Sequence, residues 1–394
     1  MPSLKNALFL LHHPEKGEDL SKIENFEHIA QQRLIIEELA AQQLSLLIIK
    51  VARKSNSCNI FSINNSLTDQ LLNSLDFQLT EAQSRCIEEI NQDISSPQPM
   101  LRLLQGDVGS GKTIVAVFAL LQAVFNNFQT AVMAPTEILA RQHLESFSNY
   151  LNHLGIKVAF LSGSQNSEER ESQIKLIESG EAQVVIGTHA LFQEKVSFHN
   201  LALVIIDEQH KFGVHQRLSL AQKANKTPHQ LVMTATPIPR SLTMSAYADL
   251  DTSVIDELPP GRQKIKTVAL SNNRRDELIE KIKQISNEGR QIYWVCTLIE
   301  ESEALRAESA ENTFNYLSSN LEGIRVVMIH GRLTKLEKEE IMKDFAEGRI
   351  DLLVATTVIE VGVNVPNASL MIVENAERLG LAQLHQLRGR VGRG

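Results

Sequence analysis

Gly106-Asp107-Val108-Gly109-Ser110-Gly111-Lys112-Thr113 is the stretch that leaves this chain the fewest options. Its fixed positions, Gly106, Gly111, Lys112 and Thr113, match a loop whose glycines let the backbone wrap an anion while successive N–H groups and a helix N-terminus point at it. Such a loop works only between a strand and a helix. Met100 to Gln105 is apolar enough for a buried strand and Ile114 to Val124 is an apolar run of helical length, so both flanks are right. The pattern fits nucleotide phosphates: Gly109, Ser110 and Gly111 offer amides, Lys112 reaches the β- and γ-phosphates, and the Thr113 hydroxyl ligates Mg²⁺. A glycine-rich turn that binds nothing is the competing reading, and the complete set of fixed positions weighs against it.

The chain has 394 residues, 43% of them hydrophobic, enough for two or three domains with substantial cores. Its net charge is −8, so any contact with nucleic acid has to come from a local basic cleft. The three cysteines, Cys58, Cys86 and Cys296, lie far apart, which suggests neither a disulfide framework nor a zinc site. No signal peptide is expected, and Leu34 to Val51 carries too many polar residues for a membrane span. A cytoplasmic protein with no membrane partner is the expectation.

The segment 1–75 carries little chemistry. His12-His13-Pro14 lacks a third ligand nearby and reads as a loop. Leu34, Ile35, Leu39, Leu44 and Leu47 predict an amphipathic helix that packs on the next part of the chain, and Ser55 to Ser74 reads as a polar connector. Next, Thr80 and Gln83 fit the capping box of a helix. With a nucleotide site downstream, Phe77 and Gln83 gain a second reading, an aromatic and an amide that hold an adenine.

Past the loop, apolar runs at Thr130–Ala134, Lys157–Leu161, Ala182–Ile186 and Leu201–Ile206 alternate with polar helical stretches. That rhythm predicts an α/β fold with a parallel sheet, its functional residues in the turns after the strand carboxyl ends. One such turn holds Asp207 and Glu208. Two carboxylates after a buried strand need compensation; alone they read as a solvated turn. Beside a phosphate loop they read as catalytic, with Asp207 on Mg²⁺ and Glu208 toward the attacking water. Thr234-Ala235-Thr236-Pro237-Ile238-Pro239 is a stiff crossing suited to relaying a change at the phosphates, although a plain loop explains the prolines equally well. Asp256 to Arg262 has the look of a hinge. Beyond it, Ile292–Cys296, Val326–Ile329 and Leu352–Ala355 begin a second alternating block, without a phosphate loop of its own. The block ends in Gln386-Leu387-Arg388-Gly389-Arg390-Val391-Gly392-Arg393-Gly394, which composition alone also allows as a basic nucleic-acid tail. Set against a site that lacks a transition-state cation, these residues read better as arginine fingers.

Taken in order, the loop, Ala134-Pro135-Thr136-Glu137, Gly187-Thr188-His189, Asp207-Glu208-Gln209-His210, Thr234-Ala235-Thr236, Ala355-Thr356-Thr357 to Gly362, and Gln386 to Arg393 resemble the motifs of superfamily-two helicases. More narrowly, Asp207 to Arg217, Thr236 to Arg240 and Gln383 to Arg390 look like the RecG family of bacterial branched-DNA helicases. The resemblance implies two RecA-like parallel-sheet lobes preceded by a short helical segment, divided as 1–75, 76–262 and 263–394. It implies an ATP hydrolase, a double-strand DNA translocase that remodels stalled forks and Holliday junctions in DNA repair and recombination. ATP and Mg²⁺ are its cofactors. Carried over, Lys112, Asp207, Glu208, Gln386, Arg390 and Arg393 are catalytic; Phe77, Gln83, Gly106, Gly109, Ser110, Gly111, Lys112 and Thr113 hold the nucleotide, with Thr113 and Asp207 on the metal. Thr136, Thr188, His189 and Thr357 grip the DNA backbone, where contacts position without reading sequence. His210, Thr234 and Thr236 couple the two events. Branched double-stranded DNA is the implied partner, with single-stranded DNA-binding protein as a further one, and the chain is expected to be a monomer.

The chain departs from the family at identifiable places. It is expected to be truncated at both ends, without the OB-like wedge domain ahead of the motor or the segment beyond the arginine motif. Asn364 stands where the family usually has Asp, and Lys211 replaces an Arg, losing its planar fork. The expectation is ATP–Mg²⁺ binding with branched-DNA remodelling weak or lost. The alternatives are a translocase of the transcription-repair coupling type (Mfd), against which Gln209 and Val214-His215-Gln216-Arg217 speak, a partner-binding tether, and a nucleotide- or DNA-binding fragment without remodelling activity.

Overall fold

The structure, a computed structural model, describes residues 1–14, 20–193, 195–208, 223–235, 250–257, 265–297, 303–356 and 365–392. Gln209, His210, Lys211, Thr236, Thr357, Asn364 and Arg393 therefore lie outside the described residues.

Contacts divide the chain into two units, the first made of Met1–Asn56 with Ile238–Asp251 and the second of Ser57–Pro237 with Thr252–Gly394. In the first unit, α1 (Leu4–His12), α2 (Leu20–Glu24) and α3 (Ile29–Lys54) follow one another. Ser3 caps α1 by accepting from the Asn6 N–H, so His12 ends a helix where the sequence reads as a loop. Ala7 and Ala30 are fully buried. The helix expected around Leu34–Leu47 forms, but Ile35, Leu39, Leu44 and Leu47 stay exposed instead of packing. With nine residues against twenty-six, α1 is too short to cover α3. Lys50 Nζ reaches Asp251 Oδ1 at 2.8 Å.

The second unit holds two parallel sheets. The larger is built from β1 (Leu101–Gly106), β2 (Gln129–Met133), β3 (Val158–Leu161), β4 (Val184–Gly187), β5 (Leu201–Asp207), β6 (His229–Thr234) and β7 (Asp251–Ile255), in the order β3-β4-β2-β5-β6-β1-β7. Successive side chains point to opposite faces, so Val132, Ile186 and Ile205 enter one core while Met133, Val185 and Ile206 enter another. Both faces are covered, and that is why these strands read as unbroken apolar runs. The helices α4 (Ser66–Ser74), α5 (Glu81–Ile94), α6 (Lys112–Phe125), α7 (Glu137–Leu151) and α8 (Ser167–Glu178) surround it. Every residue of α6 from Ile114 to Val124 is buried, as expected of a helix that is apolar all round. The stretch read as a connector contains α4, and Phe61 and Leu71 sit in the same core as α6.

The smaller sheet has the order β11-β8-β10-β9, from β8 (Gln291–Cys296), β9 (Val326–Ile329), β10 (Leu352–Thr356) and β11 (Ala368–Glu374). Around it lie α9 (Arg275–Asn287), α10 (Glu303–Asn320), α11 (Lys335–Ala346) and α12 (Leu381–Arg388). The two sheets share a device at the mouth of an inner strand. Gln129 Nε2 donates to the carbonyls of Ile177 and Ala182 at 2.9 and 2.8 Å, and Gln291 Nε2 donates to those of Ile350, at 2.7 Å, and Phe345. Each buried amide thereby ties a strand to the turn beneath it. β7 and β11, both at sheet edges, were not foreseen from the sequence.

Candidate active site

Strand register sets the site. Leu104 of β1 lies level with Met233 of β6, and Met233 with Asp207 of β5. Ile206 lies level with Met133 of β2, and Met133 with Gly187 of β4. The turns after these five strands therefore emerge in one row at the carboxyl edge, where parallel α/β sheets bind ligands. Along the row come Thr188, Thr136, Asp207–Glu208, Thr234 and the phosphate loop.

Gly109 and Gly111 take φ of +79° and +88°, a region that glycine enters without steric cost. Gly111 caps α6, and a Cβ on it would lie 2.2 Å from Gln83 Nε2, so the amide presses directly on the loop. Gly106 is equally confined, since its Cβ would meet Ser110 Oγ at 2.5 Å. The capping box forms: Gln83 Oε1 accepts from the Thr80 N–H at 2.9 Å, while Gln83 Nε2 donates to the Ser110 carbonyl at 2.9 Å. At 2% exposure, Gln83 braces the loop in this structure and does not face outward. Phe77 is exposed. Lys112 Nζ donates to the carbonyls of Gly106 and Asp107 at 2.7 and 2.9 Å, laying its ammonium across the loop mouth. Thr113 is the second residue of α6.

Asp207 Oδ2 accepts from His143 Nε2 at 2.7 Å. Burial pushes the Asp207 carboxyl up, yet the His143 hydrogen bond and the charges of His143 and Lys112 outweigh it and hold the group below its usual value. A half-buried oxygen donor, kept ionised with help from the Lys112 charge, thus stands at the end of β5. Glu208 has φ of +50°, a left-handed conformation that costs a side-chain-bearing residue about 1–2 kcal/mol. Its N–H donates to the Met233 carbonyl at 3.0 Å and its Oε1 accepts from the Ala235 N–H at 3.3 Å, and both help to hold it there. The carboxylate pair is so joined to the Thr234-Ala235 turn.

Thr136 caps α7 by accepting from the Leu139 N–H at 3.4 Å. Thr188 is buried, its N–H donating to the Leu161 carbonyl, and the neighbouring His189 is exposed. From the other sheet, α12 brings Gln386 and then Arg390, both half-buried. His385 on that helix donates from Nε2 to Asp107 Oδ1 at 2.6 Å.

Two of these residues escaped the sequence reading. His143 lies two turns beyond Thr136 on α7, a spacing that puts it on the buried face with Ala140 and Phe147; that spacing was the available signal. His385 had none beyond its place before Gln386. Replacing His143 by alanine leaves the half-buried Asp207 with the Lys112 charge and the Glu208 N–H but without its side-chain hydrogen bond. Without added Mg²⁺ the expected loss is about 1–3 kcal/mol at neutral pH, read as a lower urea midpoint and partly restored by His143→Gln. Because the native pKa of Asp207 is depressed, the stabilisation is present above about pH 4 and disappears as pH falls through the native value. An unchanged midpoint would remove His143 from this account.

Residues 80–245 match the DEAD/DEAH box helicase family, and residues 273–394 match the helicase conserved C-terminal domain. The ATP-dependent DNA helicase RecG of Escherichia coli O157:H7 is 55% identical over all of this chain, which covers 57% of that protein. That of Thermotoga maritima is 48% identical over 99% of the chain and 49% of the relative. The chain belongs to the RecG-type superfamily-two helicases. A solved structure of RecG bound to a three-way DNA junction superposes with a TM-score of 0.82 at 44% identity, over 99% of this chain and 50% of the other. The fold is shared more widely: Saccharomyces cerevisiae Dbp5 bound to RNA and ADP BeF3 gives a TM-score of 0.53 at 18% identity, over 82% and 86% of the two chains. Both sheets are thus RecA-like lobes. The chain spans about half the length of the RecG relatives it matches. Among the described residues no helix is long and apolar enough to cross a membrane.

Proposed function

We propose that this chain is the motor of an ATP-dependent DNA helicase that moves on double-stranded DNA and remodels forks and Holliday junctions in repair and recombination. One observation carries the reading: the phosphate loop, Asp207–Glu208 and Thr234 emerge side by side from β1, β5 and β6, and α12 of the second lobe touches that loop. The motor would occupy 76–262 and 263–394, behind a helical linker at 1–75. Family likeness and the RecG–junction structure support branched DNA as the substrate.

The residues present fit Mg²⁺. An ionised Asp207 and the Thr113 hydroxyl are hard oxygen donors, and among the described residues no cluster of three or more metal-binding side chains competes with them. Mg²⁺ on Thr113 and Asp207 would neutralise charge on the β- and γ-phosphates. Loop amides and Lys112 bind and orient the triphosphate, and Phe77 stacks on adenine. Glu208 takes the proton of the attacking water or orients it, and Gln386, Arg390 and Arg393 supply donors and positive charge from the second lobe. Thr136, Thr188, His189 and Thr357 belong to the DNA side. The β4–β2 end of the row would carry DNA contacts and the β5–β6–β1 end the nucleotide, with Thr234, Thr236 and His210 coupling the ends.

Phosphate release with no DNA, with linear duplex and with a three-way junction tests this. Release should rise with DNA and rise most with the junction. Turnover indifferent to DNA would reduce the chain to a lone ATPase, and binding without turnover would reduce it to a binding fragment.

A further inference from the structure

Asp107 is an oddity in a loop built for anions. A carboxylate there adds repulsion to any triphosphate that the glycines and Lys112 attract. Its partner comes from the far end of the chain: His385 Nε2 donates to Asp107 Oδ1 at 2.6 Å, across 278 residues. His385 is 22% exposed and Asp107 53%.

A second contact stands beside the first. Gly389, which caps α12, lies one turn after His385 with its N–H on the His385 carbonyl, and a Cβ on it would fall 2.5 Å from both Cβ and Cγ2 of Val108. Its backbone angles, φ −68° and ψ −6°, suit any residue. Glycine at this position therefore answers to closeness and not to conformation. Residues 385 and 389 of the second lobe thus meet the consecutive loop residues 107 and 108 of the first.

We propose that His385 is a positioning residue: its bond to Asp107, with Gly389 seated on Val108, fastens α12 to the phosphate loop and so sets where Gln386 and Arg390 stand. Gln386 adjoins one contact and Arg390 the other, which leaves both little freedom to move along the loop. Asp107 then serves as a docking acceptor for the second lobe and not as a phosphate ligand. The inference rests on the reading that the loop holds a triphosphate.

Two measurements on the full chain test it. Cysteines at Val108 and Gly389, whose β-carbons would lie within disulfide reach, should cross-link under mild oxidation with the His385–Asp107 bond left intact, against a quiet background because Cys58, Cys86 and Cys296 are all buried. Absence of the cross-link overturns the fastening whether or not the chain hydrolyses ATP. In steady-state kinetics, His385→Ala and Asp107→Ala should each lower kcat about ten-fold, the double variant should fall no further than either single one, and His385→Gln should recover much of the loss. ADP affinity, a property of the first-lobe loop, should stay within about two-fold in His385→Ala and His385→Gln. Additive losses, equal kinetics in wild type and variants, or ADP affinity falling in step with kcat each overturn the positioning role. A wild-type chain that fails to bind ATP overturns the proposed motor function instead, even where the cross-link forms.

Discussion

Lys112→Ala is expected to lower kcat/KM for ATP on the order of 10²- to 10³-fold, the range seen when one preorganised donor to developing charge is removed. Lys112 Nζ is bound to the loop carbonyls of Gly106 and Asp107, the place into which phosphate oxygens would come. Exchanging two carbonyls for charged phosphate oxygens strengthens each hydrogen bond, because both partners then carry charge. Alanine removes that gain and also one of the charges that hold Asp207 ionised. Affinity for a fluorescent ATP analogue should fall together with turnover. The fold should survive, since Lys112 is partly exposed and begins α6, while the loop stays pinned by Gln83 on the Ser110 carbonyl. A variant that binds the analogue as the wild type does would take the phosphate loop out of the mechanism.

How legible this site was depended on what each residue's environment demands. Strands buried on both faces must be apolar throughout, so β2, β5 and β8 could be read directly. β7 could not, because Asp251-Thr252-Ser253 begins it at a sheet edge, where one side needs no ladder partner and polar residues are tolerated. β11 occupies the edge of the other sheet. Eight residues of α12 give barely two turns, too few for periodicity to show, and the arginines and glycines at its end draw attention to charge instead of helix. The loop's chemistry was local and therefore visible. His143 on Asp207 and His385 on Asp107 are products of tertiary packing, and no window of sequence contains both members of either pair. Gln83 shows the intermediate case. Its capping box follows from spacing to Thr80, while its grip on the Ser110 carbonyl depends on α5 lying against the loop.

Glu208→Gln separates chemistry from binding. Loss of a positioned general base lowers turnover by about 10²- to 10⁴-fold, and the measured kcat should fall within that range. Glutamine keeps the side-chain oxygen that accepts from the Ala235 N–H, and the backbone bond to the Met233 carbonyl does not involve the side chain. The left-handed backbone at position 208 is thereby held in the variant as in the wild type, so affinity for ATP and for duplex DNA should change little. That split, kcat lost while affinity stays, is the mark of an interaction used only on the way to the transition state. Glu208→Ala would confound the test, because it also frees the Ala235 N–H and loosens the turn that begins at Thr234. Phosphate release under saturating ATP, set beside equilibrium titrations with the ATP analogue and with duplex, gives the comparison. If turnover survives in Glu208→Gln, the proton passes elsewhere and Glu208 serves only as a brace between β5 and β6. If affinity falls in parallel with kcat, the carboxylate acts in the ground state, and its bent backbone is there to shape the pocket and not to aim a base.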